Sequence, residues 1–287
     1  MPASKYRAVL ITGASTGIGA ACAIHLDRLG FVVLAGVRRD EDEEALRRAA
    51  SPSLVPLRLD VTDPASIALA REAVDAIVGE AGLAGLINNA GIVVAGPVEA
   101  VPISAWRRQL EVNVVGAVAV TQAFLPLLRT GGGRIINMGS IAGRATMPMM
   151  GPYSASKHAL EAITDALRLE LQPWNLHVCI VEPGAIATPI WDKSMKDAMA
   201  LESSADPQLL GRYAGGVAAV KRAVAKAAAR AISPDAVVTA VVHALTVARP
   251  KTRYLVGRDA LVRALMAKML PDRAVDRLLT WVLGLPR

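Results

Sequence analysis

The stretch Arg7-Ala8-Val9-Leu10-Ile11-Thr12-Gly13-Ala14-Ser15-Thr16-Gly17-Ile18-Gly19 decides the fold. Arg7 to Thr12 reads as a buried strand that runs straight into a glycine turn, and Gly17 to Leu29 reads as a helix closed by Gly30. Glycines at 13, 17 and 19 let backbone N–H groups approach a pyrophosphate at the positive end of the helix dipole, where side chains would block it. A glycine triplet alone also makes an ordinary tight turn. Its placement between strand and helix is what points to a nucleotide.

Outward from this unit, strand and helix patterns alternate. Phe31 to Gly36, Leu54 to Leu59 and Gly85 to Asn88 are the next expected strands, with helices around 41–50 and 64–79 between them. A long helix around Ser104 to Arg129, broken near Pro126, leads through Gly131-Gly132-Gly133 to a strand at Arg134 to Met138. A helix carrying Tyr153 and Lys157 runs to about Leu171, and strands follow at Leu176 to Val181 and Arg253 to Val256. Alternation implies parallel strands with right-handed crossovers. The expected fold class is therefore α/β, one doubly wound parallel sheet of about seven strands with helices on both faces. A hydrophobic share of 53% with only 3% aromatic residues fits it, because buried parallel strands pack on small-residue helices.

The net charge is +7, and residues 201–287 hold 14 Lys/Arg against 6 Asp/Glu, so that third accounts for the whole imbalance. No aromatic platform or base-reading motif accompanies those cations, so no nucleic-acid partner is expected; an acidic membrane surface or plain solubility fits better. Cys22 and Cys179 fall in a predicted helix and a predicted strand, with neither a metal spacing nor a disulfide framework. His25, His177 and His243 form no cluster and His158 points off the Tyr153–Lys157 face, so no metal is expected. Met1 to Lys5 is short and polar before the first strand, and no uninterrupted apolar run approaches a membrane-spanning length. The expected location is the cytoplasm.

Tyr153 and Lys157 stand four residues apart, on one helix face, so their polar ends can converge on one oxygen. The turn at Thr12 to Gly19, Asn88-Asn89-Ala90-Gly91, Asn113, Ser140, Tyr153 with Lys157, and Pro183-Gly184 follow one another in the order and spacing of the short-chain dehydrogenase/reductase family. The chain resembles that family over roughly residues 5–257, and is similar to its steroid- and retinol-dehydrogenase-like members.

The resemblance implies a Rossmann-type catalytic domain over residues 1–257, a variable substrate lid at about 189–230 and a helical C-terminal tail at 258–287. It implies cofactor contacts from Gly13, Ser15, Thr16, Gly17, Ile18 and Gly19, with Asp60 and Val61 at the adenine and Asn89, Ala90 and Gly91 along the cofactor. Pro183, Gly184, Ile186 and Thr188 belong to the loop that meets the nicotinamide carboxamide. In Val37-Arg38-Arg39-Asp40, Val37 stands at the family's usual acidic position and Arg38 follows it. NADP is therefore the implied cofactor, with Arg38 on its 2'-phosphate. Asp40 keeps NAD open, and Thr16 stands where the family often has a second basic residue.

In the same resemblance Tyr153 exchanges the substrate hydroxyl proton, Ser140 donates to the substrate oxygen, and Lys157 holds the nicotinamide ribose and acidifies the phenol. Asn113 holds a water that links Lys157 to solvent. A phenol has a pKa of about 10, and a lysine cation about 4 Å away contributes on the order of 4 kcal/mol at an effective dielectric near 20. That is enough to bring the phenol down by roughly three pH units. Burial opposes it, so the positive ring of the oxidised cofactor has to help.

Met147, Met149 and Met150 beside Tyr153 suggest an adaptable apolar wall, or methionines packed under a loop. Trp191, Met195, Met199 and Leu201 are candidates to face the substrate from the lid. The implied function is hydride transfer between NADP(H) and a secondary alcohol or ketone of a hydrophobic, steroid-, retinoid- or lipid-like molecule. The alternatives are an NAD-dependent enzyme for a small polar alcohol or sugar, and a non-catalytic nucleotide-sensing module. By analogy the chain forms a homodimer or homotetramer. Two tail helices, Asp259 to Leu270 and Ala274 to Leu285, lie on a membrane surface, complete the pocket, or pack on a neighbouring subunit; amphipathicity alone does not choose.

Overall fold

A computed structural model describes residues 7–204 and 206–285. The expectations at Met1 to Lys5, and for the side chain of Leu201, lie outside the described residues. Strands β1 (Ala8–Ile11), β2 (Val32–Val37), β3 (Leu54–Arg58), β4 (Gly85–Asn88), β5 (Arg134–Met138), β6 (His177–Pro183) and β7 (Arg253–Val256) pair in parallel in the order β3-β2-β1-β4-β5-β6-β7. Between them run α1 (Gly17–Arg28), α2 (Asp40–Ala49), α3 (Pro64–Val78), α4 (Ile103–Leu110), α5 (Gly116–Gly131) and α6 (Gly151–Glu170). After β6 come α7 (Ile190–Ser204), α8 (Pro207–Ala229) and α9 (Asp235–Thr246), and after β7 come α10 (Arg258–Met269) and α11 (Asp272–Leu283).

The apolar run that reads as a buried strand is buried on both faces. Val9 and Ile11 pack with Leu26 of α1 and Val237 and Val241 of α9, whereas Leu10 packs on the opposite face with Val74 of α3 and Phe124 of α5. Alternation of side chains along a strand sends neighbours to opposite faces, so both faces must be apolar when both are covered. Strand order reverses between β1 and β4, which places the ends of these two strands at a topological switch point.

One expected break falls elsewhere. Pro126 lies inside α5 without ending it, and the irregularity is a π-helical turn at Glu111–Val115 that joins α4 to α5. Such a turn re-aims side chains within an otherwise continuous helix, and here it carries Asn113. Ile103–Gly131, the two helices and this turn together, is the one helix among the described residues long and apolar enough to cross a membrane. Its Val120, Phe124 and Leu128 are completely buried in the core against the sheet.

Helix α6 is tied to the sheet edge by charge. Arg253 of β7 pairs with Glu161 and, at 2.6 Å, with Asp165, both of α6, while Arg144 pairs with the fully buried Glu182 of β6. Burial raises the Glu182 carboxyl above its ordinary value, and the Arg144 guanidinium opposes that rise.

Candidate active site

The glycine turn has the backbone its composition demands. Gly13 and Gly17 adopt φ of +64° and +60°, a region that L side chains rarely enter. A Cβ on Gly13 would lie 2.8 Å from the Ala90 Cα, and one on Gly17 would lie 3.2 Å from the Thr188 Cβ. The turn is held by the end of β4. Asn89 Nδ2 donates to the carbonyls of Thr12 and Gly13 at 3.0 and 2.9 Å, and Thr12 Oγ1 accepts from the backbone N–H of Asn89 and Ala90, each at 3.0 Å. Side-chain-free backbone at a helix N-terminus fits a dinucleotide pyrophosphate. Thr16, directly before α1, accepts at 3.2 Å from the Lys193 ammonium, which reaches down from α7.

At the end of β2 the three charged residues separate. Arg39 turns to Asp42 through two hydrogen bonds of 2.9 Å, and Asp40 pairs with Arg58 at 3.4 Å. Arg38 lines the cavity beside Val37. Asp60, Val61, Gly91, Ile186 and Thr188 line the same cavity. Burial raises the Asp60 carboxyl, but bonds from Thr62 N and Oγ1 at 2.9 and 2.7 Å, with the Arg38 cation nearby, hold it below its ordinary value.

Ser140, Tyr153 and Lys157 meet in this cavity. Ser140 follows β5 and caps a short helical turn, its Oγ accepting from Ala142 N at 3.1 Å. The Lys157 ammonium donates to the Met138 carbonyl at 2.7 Å and sits 5.8 Å from the centre of the Tyr153 ring. Burial lowers Lys157 from 10.5 to about 8. The Tyr153 phenol is raised, chiefly by burial; a hydrogen bond with Ser140 and the charge of Arg263 pull it back only in part. Burial therefore outweighs the neighbouring charges of the protein itself, the opposition expected from the sequence for this tyrosine. Desolvation wins because the phenol is buried and the Ser140 bond and the Arg263 charge offset that only in part.

Asn113 is buried, with Oδ1 accepting from Ile92 N at 2.9 Å and Nδ2 donating to Ile92 O at 3.0 Å and to Ser156 Oγ at 3.1 Å. Ser156 Oγ in turn donates to the Tyr153 carbonyl at 2.7 Å, so the π-helical turn is bonded directly into α6. Gln109, fully buried, repeats the pattern with Val94 N at 2.6 Å and Ile92 O at 3.0 Å. Sequence reasoning placed Thr12 in the turn without a role of its own and missed Gln109 and Ser156, because their partners are brought close only by folding.

Met147, Met149 and Met150 line the cavity, which measures about 440 Å³, and Trp191 and Met195 enclose it from α7. Met199 faces outward, 56% exposed. Helix α10 adds Asp259 and Arg263, which no reading of the sequence singled out. Cys22 and Cys179 are buried free thiols, each pushed up to about 12 by burial, and among the described residues no cluster of His, Cys, Asp and Glu could hold a metal.

A parallel sheet with a glycine cradle, a serine and a Tyr–Lys pair at its strand ends is the architecture of a nicotinamide-dependent oxidoreductase. The sequence profile described as "short chain dehydrogenase" matches residues 7–199, and the chain belongs to that family. It is 37% identical to retinol dehydrogenase 5 of Mus musculus over 97% of this chain and 89% of the relative. It is 36% identical to an NADPH-dependent 3-dehydrocapnine reductase of Ornithobacterium rhinotracheale over 95% of each chain. A short chain dehydrogenase of Burkholderia cenocepacia J2315, solved in complex with NADP, superposes with a TM-score of 0.72 at 28% identity, covering 98% of this chain and 99% of that one. The protein is accordingly an NAD(P)-dependent oxidoreductase.

Proposed function

We propose that the protein transfers a hydride between NADP(H) and a secondary alcohol or ketone of a hydrophobic molecule. The convergence of Ser140, Tyr153 and Lys157 in one cavity with the glycine turn and a methionine wall carries this reading. The nicotinamide, when bound, supplies or accepts the hydride. As a phenolate, which the Lys157 ammonium and the positive ring of a bound oxidised cofactor would favour against burial, Tyr153 takes the hydroxyl proton in oxidation and returns it in reduction, and Ser140 donates to the same oxygen as charge develops on it. Lys157 orients the ribose and gives the phenol a cationic neighbour, and Asn113, bonded to α6 through Ser156, holds the water that links Lys157 to solvent.

For the cofactor, the residues present favour NADP. Arg38 faces the cavity, whereas Asp40, the carboxylate that kept NAD open, is paired with Arg58. The NADPH-dependent relative and the NADP-bound neighbour support the same choice. For the substrate, the methionines, Trp191 and Met195 support an apolar ligand, as do relatives named for retinol.

Residues 1–257 are taken as the catalytic domain with α7 and α8 as its lid over about residues 189–230. Helix α10 is added to it, since Ala260 and Ala264 pack on Ile141 and Asp259 and Arg263 enter the cavity. In the tail, the exposed Trp281 and Val282 of α11 with Leu265 and Met269 of α10 support a peripheral seat on a membrane of an otherwise cytoplasmic protein. Exposed Ile103 of α4 and Val115 of the π-helical turn support a homodimer or homotetramer. A panel of retinoids, steroids, fatty ketones and sugars, each scored for absorbance change with NADPH and with NADH, tests cofactor and substrate class together. Turnover confined to sugars, or equal use of NADH, refutes the reading.

A further inference from the structure

Arg263 is placed at the reacting centre by packing. Ala260 and Ala264 of α10 are buried against Ile141, the residue after Ser140, so the helix lies on the loop between β5 and α6. From there the Arg263 Nη2 donates to the Ala145 carbonyl at 2.6 Å, its one hydrogen bond among the described residues. A guanidinium has five N–H donors in a rigid fork, so this bond fixes the group and leaves the rest of the fork for a ligand.

The charge of Asp259 balances the guanidinium only in part, since burial still prevails. Ile141, Met147, Met150 and Tyr153 line the same cavity, and a cation among apolar side chains is costly without an anion. The carboxylate one turn earlier on α10, Asp259, accepts from Ala185 N at 2.8 Å and abuts Gly184, and so is committed to the loop after β6. Burial holds Arg263 below its ordinary value, with Asp259 and Tyr153 opposing that fall. Four other cations line the cavity: Lys193 holds Thr16, Lys157 holds Met138, Arg38 lies at the far end by β2, and Lys221 comes from α8.

We propose that Arg263 seats an oxyanion of the substrate, such as a carboxylate, so that the molecule turned over is an amphiphile with an anionic group a few bonds from its reacting carbon. The inference rests on the proposed function and narrows it: neutral retinoids and steroids offer this cation hydrogen-bond acceptors but no opposing charge. In oxidation of such a hydroxy acid, the carbinol C–H leaves as hydride to the nicotinamide and the O–H proton goes to Tyr153. A ketone forms and the carboxylate is unchanged.

The test compares 3-hydroxyhexadecanoate with its methyl ester, each with NADP+ and the full chain, following NADPH absorbance. The wild type should prefer the acid, and Arg263→Met should lower the acid-to-ester ratio of kcat/KM by roughly 10- to 100-fold, the worth of a charge-assisted hydrogen bond. Arg263→Lys should restore part of that ratio. An unchanged ratio overturns the proposal, as does an equal fall for acid and ester, which would make Arg263 a group that acts on Tyr153 alone. A measurement on the unmutated protein guards against a variant that does not fold. Palmitate should inhibit more strongly than hexadecanol, and equal inhibition overturns the anion seat. Absence of turnover with acid, ester, retinoid and steroid alike would sink the proposed function itself, whereas turnover without acid preference sinks only this inference.

Discussion

Lys157→Met gives the sharpest test of the site's electrostatics, through stability rather than rate. In the folded protein Lys157 loses its proton near pH 8, whereas in the unfolded chain it keeps it to 10.5. Between these values the unfolded state binds more protons, so this residue makes stability rise with pH across the window. At about 1.4 kcal/mol for each pH unit, the drop from 10.5 to about 8 amounts to about 3 kcal/mol. The wild-type curve alone will not display it. Cys22 and Cys179, each raised from 9.0 to about 12, make stability fall as pH rises through that overlapping range. Subtracting the Lys157→Met curve removes the cysteines and leaves the lysine. Loss of the 2.7 Å bond to the Met138 carbonyl is a constant offset that does not change the slope. Urea unfolding of both apoproteins at steps from pH 7 to pH 10.5 gives the difference directly. It should be flat below about pH 8 and then climb by about 3 kcal/mol in favour of the wild type. Parallel curves would refute the reasoning, because they would mean that Lys157 is solvated.

Three further outcomes follow from particular contacts. Tyr153→Phe should abolish turnover while NADPH still binds, as read by fluorescence titration; retained activity would reject the proton-transfer role. Arg38→Leu should raise the KM for NADPH by roughly 10- to 100-fold and leave that for NADH little changed, because one charge-assisted phosphate contact is lost. A parallel rise for both cofactors would show that Arg38 does not face the 2'-phosphate. Gly13→Ala should cost at least about 2 kcal/mol, combining a φ of +64° with a Cβ 2.8 Å from the Ala90 backbone, and should weaken NADPH binding. At roughly 2–4 °C for each kcal/mol, calorimetry would detect the shift in Tm, and an unmoved Tm would contradict the geometry.

The sequence by itself determined the elements whose causes are local. Arg7 to Thr12 had to be a covered strand because it is apolar on both faces, and the glycines at 13, 17 and 19 mark a turn where backbone meets ligand. Tyr153 and Lys157 share a face because they are one helical turn apart, and the ordered motifs around them set the reaction class before any coordinates. Only the tertiary structure decided what depends on neighbours distant in the chain. Asn89 clamps the carbonyl of Gly13 across 76 positions, and Arg263 reaches the carbonyl of Ala145 across 118. The irregular turn at Asn113 escaped prediction because Pro126 is the stronger local signal, while the π-helical distortion is held by Ile92 and Ser156. Burial and charge act through space, so the state of the phenol was not readable from the spacing of two residues. It followed from burial, which raises the phenol, against the Ser140 bond and the charge of the arginine that a late helix carries to the same pocket, which pull it back in part.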